Sequence, residues 1–439
     1  MASLKNYTYI LLIFSISALL SCTSNDQQQQ QQQEKITNFQ ADPENGGIEL
    51  PDGFFAVVVA QDLGRGRKLT IRENGDIYLS LRRLNAGKGI VALRDTTNDG
   101  KADIIKYFGE YAGDGLEIKD NFLYFSSKST VMRYELNGDE LLPKTEPQIL
   151  ITGFPDQNQH DVKPFAFDKE GHIYVNVGAP SNACMQETRT PGSPGMDPCP
   201  ELHRQAGVWR FDANTAGQTQ IDDGYHFSTG IRHAVAISWN PYVDKLYAVQ
   251  HGRDQLNQFF PEYYTEDDGV TLPAEEFLLL EDGADFGWPY CYYDPFKDQK
   301  LLAPEYGGDS EKTGRCSTKK DPIMAFPAHT APNDLIFYDG ESFPEKYHKG
   351  AFIAFHGSWN RAPQEQKGYY VMFVPFKDSL PSGKHEIFAE GFKGVEKVMS
   401  PRDAQYRPTG LATGPDGSLF IVESNTGKIW RILYNRKES

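Results

Sequence analysis

Arginine and histidine return along this chain at one kind of place, the loops that flank short apolar strands. Arg67 precedes one such strand and Asp114 another. His160, Asp161 and Lys163 precede a third. Arg232 and His233 stand before a fourth, and His251, Gly252, Arg253 and Asp254 follow that strand's partner. His329 and Asn333, the run His356-Gly357-Ser358-Trp359-Asn360-Arg361, and finally Arg407 complete the set. An imidazole with a near-neutral pKa takes or gives a proton at ordinary pH. A planar guanidinium fork pairs bidentately with a carboxylate. Loops rich in both point to proton transfer beside an anionic ligand.

The strands between these loops share a phrase, turn residues followed by an alternating apolar run with an aromatic. It occurs as Asn74-Gly75-Asp76-Ile77-Tyr78-Leu79, Asp120-Asn121-Phe122-Leu123-Tyr124-Phe125 and Glu170-Gly171-His172-Ile173-Tyr174-Val175. It returns as Val243-Asp244-Lys245-Leu246-Tyr247-Ala248, His348-Lys349-Gly350-Ala351-Phe352-Ile353 and Asp416-Gly417-Ser418-Leu419-Phe420-Ile421. Each reads as a tight turn into a half-buried strand. Several have a second alternating strand just before the turn, as in Lys68-Leu69-Thr70-Ile71 and Ala234-Val235-Ala236-Ile237. Six such echoes predict an all-β fold, a six-bladed β-propeller, over a β-sandwich with similar hairpins. The uneven spacing predicts two inserts, at about 180–226 and 251–330, both rich in Gly, Pro and acidic residues. In a propeller the segments that approach the innermost strands converge on the central channel, which would gather the Arg/His loops at one mouth.

Composition narrows the classes. The chain has 44 basic and 60 acidic residues, a formal charge of −16. Such a surface repels nucleic acid and anionic lipid, so no nucleic-acid partner is expected. The 40 Gly and 27 Pro interrupt helices too often for a bundle, and 23 Tyr with 27 Phe supply aromatic strand formers. Positive loops in a negative protein mark an anionic ligand more sharply than they would on a neutral one.

The N-terminus reads as an address. Lys5, an apolar run from Tyr9 to Leu20, and Leu19-Leu20-Ser21-Cys22 resemble a bacterial lipoprotein signal, which implies cleavage before Cys22 and lipidation of its thiol. The expected organisation is a signal peptide at 1–21, a lipidated Cys and Gln-rich tether at 22–45, and a single catalytic propeller at 46–436. The protein is expected to be exported and held on a bacterial membrane by acyl chains, facing the periplasm or the cell surface, with the outer membrane foremost. Four cysteines remain, Cys184, Cys199, Cys291 and Cys316, an even count that suggests disulfides in an exported chain. Separations of 15 and 25 favour Cys184–Cys199 and Cys291–Cys316, with the other connectivities open. Between Asp95 and Asp103, acidic residues at alternate positions look like a calcium loop, but Lys106 stands where its bidentate Glu would fall, and an Asn-Asp-Gly turn is sufficient reason for such residues.

Five strings carry a family resemblance: Gly230-Ile231-Arg232-His233, His251-Gly252-Arg253-Asp254-Gln255, Phe286-Gly287-Trp288-Pro289, His356-Gly357-Ser358-Trp359-Asn360-Arg361 and Arg407-Pro408-Thr409-Gly410. They resemble the sorbosone/pyranose dehydrogenase branch of the pyrroloquinoline quinone (PQQ) sugar dehydrogenases, and more distantly the soluble PQQ glucose dehydrogenases. The likeness runs from about Gly53 to Leu433 and implies the same six-bladed fold. It implies PQQ over the channel, with Ca2+ beside its quinone. Arg361 and Arg407 would hold its carboxylates and Arg232 would lie near the quinone oxygens. Arg67, His233 and His329 are further candidates for cofactor contact. Backbone carbonyls of Gly252 and Arg253 match the calcium turn, and His160 matches the general base. Two departures stand out. Val177-Gly178-Ala179-Pro180 has no acid where the glucose enzymes support this His, which leaves Asp161 to orient it. Phe326 falls near the sugar-stacking Trp. The expected activity is oxidation of a pyranose or a ketoaldose such as sorbosone. No C-x-x-C-H sequence occurs, so electrons would leave to an external quinone or cytochrome. The alternatives are a calcium-dependent lactonase-like hydrolase and a non-catalytic glycan-binding lipoprotein.

Overall fold

Each turn phrase closes a hairpin between the two innermost strands of one sheet. Six such sheets stand among residues 39–435, the residues that the computed structural model describes. One residue per hairpin takes the left-handed conformation that reverses the chain: Gly75, Asp120, Gly171, Asp244, Lys349 and Gly417, with φ between 54° and 96°. Gly adopts that region freely and Asp more readily than most residues, which is why the phrase is built from them. The fold is the all-β six-bladed propeller that the repeat predicts. The signal peptide, Cys22 and the Gln-rich tether lie outside the described residues.

The first blade comprises Gly66–Ile71, Ile77–Asn85, Lys88–Arg94 and Ile104–Phe108, and the second Leu116–Lys119, Phe122–Ser126, Val131–Glu135 and Gln148–Thr152. The third comprises Phe165–Phe167, His172–Val177, Gly207–Asp212 and Tyr225–Thr229, and the fourth Ala236–Asn240, Lys245–Gln250, Glu275–Leu280 and Met324–Phe326. The fifth runs Pro332–Phe337, Ala351–Phe355, Tyr370–Val374 and Glu386–Ala389. The sixth takes Pro408–Thr413, Leu419–Glu423 and Ile429–Tyr434 from the C-terminal end and its outer strand, Phe54–Ala60, from the N-terminal end. That last strand pairs antiparallel, Phe54 opposite Tyr434, and closes the ring. Closure leaves the first and last blades without an open flank. Inner strands crowd at the axis: a Cβ on Gly410 would sit 2.2 Å from the Arg67 carbonyl, so only glycine fits there.

Between blades, strand residues meet side chains of the neighbouring blade's strands and connecting turns. Phe54, Phe343, Tyr347, Phe352, Phe373 and Phe388 form one such layer, with Phe54 edge-on to Phe343 at 4.8 Å. Edge-to-face contacts of this kind add to the apolar burial that drives blade packing.

The inserts are shorter than the sequence suggested. Gly207–Asp212 and Tyr225–Thr229 are blade strands, as are Glu275–Leu280 and Met324–Phe326. The true excursions run between these strands. Segments around Ala183, Leu256–Tyr264 and Tyr292–Ala303 pack into a small core of their own. Two short α-helices among the described residues, Leu256–Phe259 and Glu266–Thr271, belong to them. Disulfides Cys184–Cys199 and Cys291–Cys316 pin these segments. The acidic loop after Arg94 spends its carboxylates on its own amides: Asp95 accepts from Asn98 and Gly100, Asp103 from Thr96 and Thr97. No helix among the described residues is long and apolar enough to cross a membrane.

Candidate active site at the propeller mouth

His160 sits in the loop that leads into the inner strand of the third blade, with φ at 49°. Its Nδ1 lies 2.7 Å from the Ala179 carbonyl. A carbonyl only accepts, so Nδ1 carries the proton and Nε2 keeps its lone pair. The stretch that lacks an acid thus orients the base with a backbone oxygen. Asp161 does not orient His160. It is drawn to Arg82 and Lys128, each at 2.7 Å. The ring of His160 stacks on His233 at 4.3 Å, and His233 meets His251 edge-on at 5.1 Å. Gly178 makes the stack possible, because a Cβ there would lie 2.7 Å from that of His160 and 2.9 Å from Nδ1 of His233. Burial, reinforced by Arg232, drives the His160 pKa down to about 3. His251 falls to about 4, and His233 and His356 fall well below their ordinary range, each chiefly through burial. All four imidazoles are neutral at physiological pH.

Arg232, next to His233 in the chain, is buried and tied on several sides. It donates to Asp254 at 2.9 Å, to Oδ1 of Asn182 at 3.0 Å and to the Gly252 carbonyl at 2.9 Å. Asp254 also accepts from Arg189 at 3.1 Å and from Asn360 at 2.5 Å. Buried Asn182 is the hub, since its side chain also accepts from the Asp254 amide and donates to its carbonyl. Arg253 pairs with Glu305 at 2.5 Å within the excursion. Buried Glu275 receives amides from Gly252, Thr330 and Ala331, which fixes the Gly252 turn and the turn beside His329 on one carboxylate. His329 donates Nε2–H to the Leu272 carbonyl at 3.1 Å. Arg361 turns to the carbonyls of Val270, Ala328 and Glu365, so it braces the loop that carries it. Phe326 is core, ringed by Phe277 and Phe355. Trp359, two residues before Arg361, is 54% exposed.

The other half of the mouth is a cavity of about 590 Å3 lined by Arg65, Arg67, Arg82, Arg83, Lys128 and Arg407, with His356 beside them. Arg67 pairs with Asp114 at 2.6 Å. Arg407 donates to Nδ1 of His356 at 3.0 Å, which makes that nitrogen an acceptor and sends Nε2–H of His356 to Ser424. The sequence reading collected the loops that leave the second strands of the fourth and fifth blades. In the first and second blades this end carries Arg82 and Arg83, inside the strand Ile77–Asn85, and Lys128, in the loop after Phe122–Ser126; none of the three is among the sequence candidates. Arg65, Asn182, Arg189 and Glu275 were missed as well. Position after a second strand was the available signal for Lys128, while Arg82 and Arg83 stand just past the buried run Ile77–Leu81 of their own strand. Nothing local marks Asn182 or Glu275, which act through chain segments far away in sequence.

Comparison with known proteins agrees with this fold. The TrAA12-like family model matches residues 48–435. A Borreliella burgdorferi protein described as uncharacterized is 29% identical over 403 residues, 89% of this chain and 91% of its own. A PQQ-dependent pyranose dehydrogenase of Coprinopsis cinerea is 26% identical over 228 residues, 45% of this chain and 29% of its own length. Of solved structures, the holo PQQ domain of the Coprinopsis cinerea pyranose dehydrogenase superposes with a TM-score of 0.69 at 19% identity, covering 88% of this chain and 97% of that one. A calcium structure of a Trichoderma reesei carbohydrate-active enzyme of family AA12 gives 0.71 at 18% identity, over 90% and 99%. These superpositions show the fold. The family match begins just before the N-terminal closing strand and runs through the last strand of the sixth blade, and on it the chain belongs to the TrAA12-like family.

Proposed function

We propose that the protein is a PQQ- and Ca2+-dependent dehydrogenase that oxidises a sugar, a pyranose or a ketoaldose such as sorbosone, and passes the electrons to an external acceptor. The observation that carries this reading is the fixed tautomer of His160, a bare Nε2 on a neutral imidazole at the mouth, next to a cavity walled by guanidinium groups. The donor set fits the cofactor. Arg67 and Arg407 line the cavity where carboxylates would lie. The Gly252 carbonyl, which takes one hydrogen bond from Arg232, keeps a second lone pair for a hard cation, and the Arg253 carbonyl is next in the chain. When bound, PQQ would supply the hydride acceptor and calcium the Lewis acid.

The chain's own residues do the rest. Nε2 of His160 takes the proton of the sugar hydroxyl, and the Ala179 carbonyl steadies the imidazolium that results. Arg232, held by Asp254 and Asn182, keeps a positive charge under the reacting centre. Glu275 and Arg361 hold the loops in register. Export and lipidation at Cys22 belong to the same proposal and would place the enzyme at a membrane surface. Reconstitution tests the reading: PQQ and Ca2+ are added, and dye reduction is followed over a panel of pyranoses and ketoaldoses. Cofactor-dependent turnover and a raised melting temperature are expected. Lactone hydrolysis without PQQ would return the hydrolase reading, and sugar binding without turnover the glycan-binding one.

A further inference from the structure

The six cations around the cavity exceed what the proposed cofactor requires. Arg65, Arg67, Arg82, Arg83, Lys128 and Arg407 line it, and two carboxylates, Asp114 and Asp161, are paired with them. A tricarboxylate with Ca2+ beside it would add a net charge of −1, and 6 − 2 − 1 leaves three cations over. Exposure divides the set. Arg67 and Arg407 are half-buried toward the axis, as befits groups that hold a resident ligand, whereas Arg65, Arg83 and Lys128 are exposed on the rim. Arg65 and Arg83 have no carboxylate within ion-pair distance among the described residues. In a chain of net charge −16, unneutralised guanidinium groups around a cavity select for anions that the rest of the surface repels. Asp161, which Arg82 and Lys128 hold, is peptide-bonded to His160, so this rim adjoins the loop of the base.

We propose that Arg83 and Lys128, with Arg65, recognise a sugar carboxylate, so that the substrate is an acidic sugar, a uronate or a saccharide that ends in one. This deepens the dehydrogenase reading and rests on it. A neutral sugar has no use for such a rim, and an exposed cation suits a ligand that must exchange at every turnover. Exposed charges of this kind act mainly through encounter and KM, and salt screens them.

The experiment uses the full chain loaded with PQQ and Ca2+, with matched probes: D-glucuronate against D-glucose, and D-galacturonate against D-galactose. The uronates should show kcat/KM about tenfold or more above their neutral partners, mostly through KM, and 0.5 M salt should collapse the difference. Arg83→Gln and Lys128→Gln should each lower the uronate-to-neutral ratio several-fold, up to about tenfold. Calorimetric titration supplies a readout that needs no turnover: glucuronate should bind more tightly than glucose, and acetate should not compete. Equal ratios in native protein and variants, or acetate that binds as well as glucuronate, would overturn the proposal. PQQ absorbance on the same samples separates the two readings. If PQQ binds and glucose is oxidised as fast as glucuronate, carboxylate recognition falls and the dehydrogenase stands. If PQQ fails to bind while glucuronate is still preferred, the dehydrogenase falls and the anion site stands.

Discussion

Two cavities of the propeller settle their charges in opposite ways. The mouth is walled by loops and by the upper ends of two strands of the first blade, which carry Arg67, Arg82 and Arg83, and it keeps a surplus of cations beside four neutral imidazoles. Below it lies a channel of about 390 Å3 walled by the strands themselves, with Thr70, Glu117, Ser238, Trp239 and Thr413 facing in. Lys68 closes the axis between them. It reaches from the first blade to the carbonyls of Val235 and Asn333 and to the carboxylate of Asp334. Charge in the channel is matched within the fold, Lys68 by Asp334, and burial raises the carboxyl of Glu117 to about 8, so it stays protonated. A strand residue is fixed by register and must be satisfied where it stands. A loop residue such as Arg65, or one where the strand register breaks, as at Arg83, can be held unneutralised until a ligand arrives. Chemistry therefore gathers at one end of an axis whose two ends derive from the same repeat.

The sharpest way to break this contrast is to remove the base. His160→Ala should lower kcat by about 10²–10⁴-fold while PQQ still binds, measured by dye reduction beside a cofactor titration. Thr413→Ala, at the channel wall, should leave kcat within about twofold. If the Thr413 variant lost activity as fully as the His160 variant, the channel would be part of the machinery.

The buried ion pairs sharpen the contrast further. Asp254→Ala strands Arg232 and Arg189, and Asp334→Ala strands Lys68. Each should cost about 3–5 kcal/mol in denaturant unfolding, the usual penalty for an uncompensated buried charge. Cofactor affinity should separate them. The Asp254 variant loses the support under the mouth and should bind PQQ weakly, whereas the Asp334 variant, if it folds, should bind it as the native chain does.

The architecture was legible because each blade restates one local rule, a left-handed turn residue between two alternating strands. Asp120, Gly171 and Gly417 announce that turn without reference to the rest of the chain. The ring closure was not legible, since Phe54 and Tyr434 meet across almost the whole described sequence and share no phrase. The mouth was legible where residue type and position coincided, as at His160, Arg232 and Arg407. It was obscure where a side chain could be either a ligand group or a brace. Arg361 illustrates the difficulty: it stands in a sequence that resembles a cofactor site, yet its donors go to three backbone carbonyls, and only coordinates distinguish those roles.

Acid should act on the mouth before the channel. His160 and His251, at about 3 and 4, lie below the ordinary value of 6.5, and burial is the main cause in both. The unfolded chain then binds protons that the folded one excludes. Stability from these groups is complete above pH 6.5 and is lost as pH falls toward the folded values, by up to about 1.4 kcal/mol per pH unit for each imidazole. Denaturant midpoints should drop between pH 7 and pH 5. In a His251→Gln variant the drop should be shallower.

The channel should show the opposite sign and the smallest effect. Glu117 is raised from 4.5 to about 8, first by burial, while Lys119 opposes the shift and Asp334 adds to it. Here the folded chain holds a proton that the unfolded chain releases. Its contribution is present below pH 4.5 and is lost as pH rises toward 8. Glu117→Gln keeps the shape and removes the titration, so it should be more stable than the native chain above pH 5, by a margin that grows up to about pH 8. Turnover should be unchanged, because the residue lies on the far side of Lys68 from the mouth. A native chain that gained stability from pH 5 to pH 8 as steeply as the Gln variant would mean that Glu117 is ionised in the fold. The channel would then be open to water and cations, and the contrast with the mouth would rest on the loops alone.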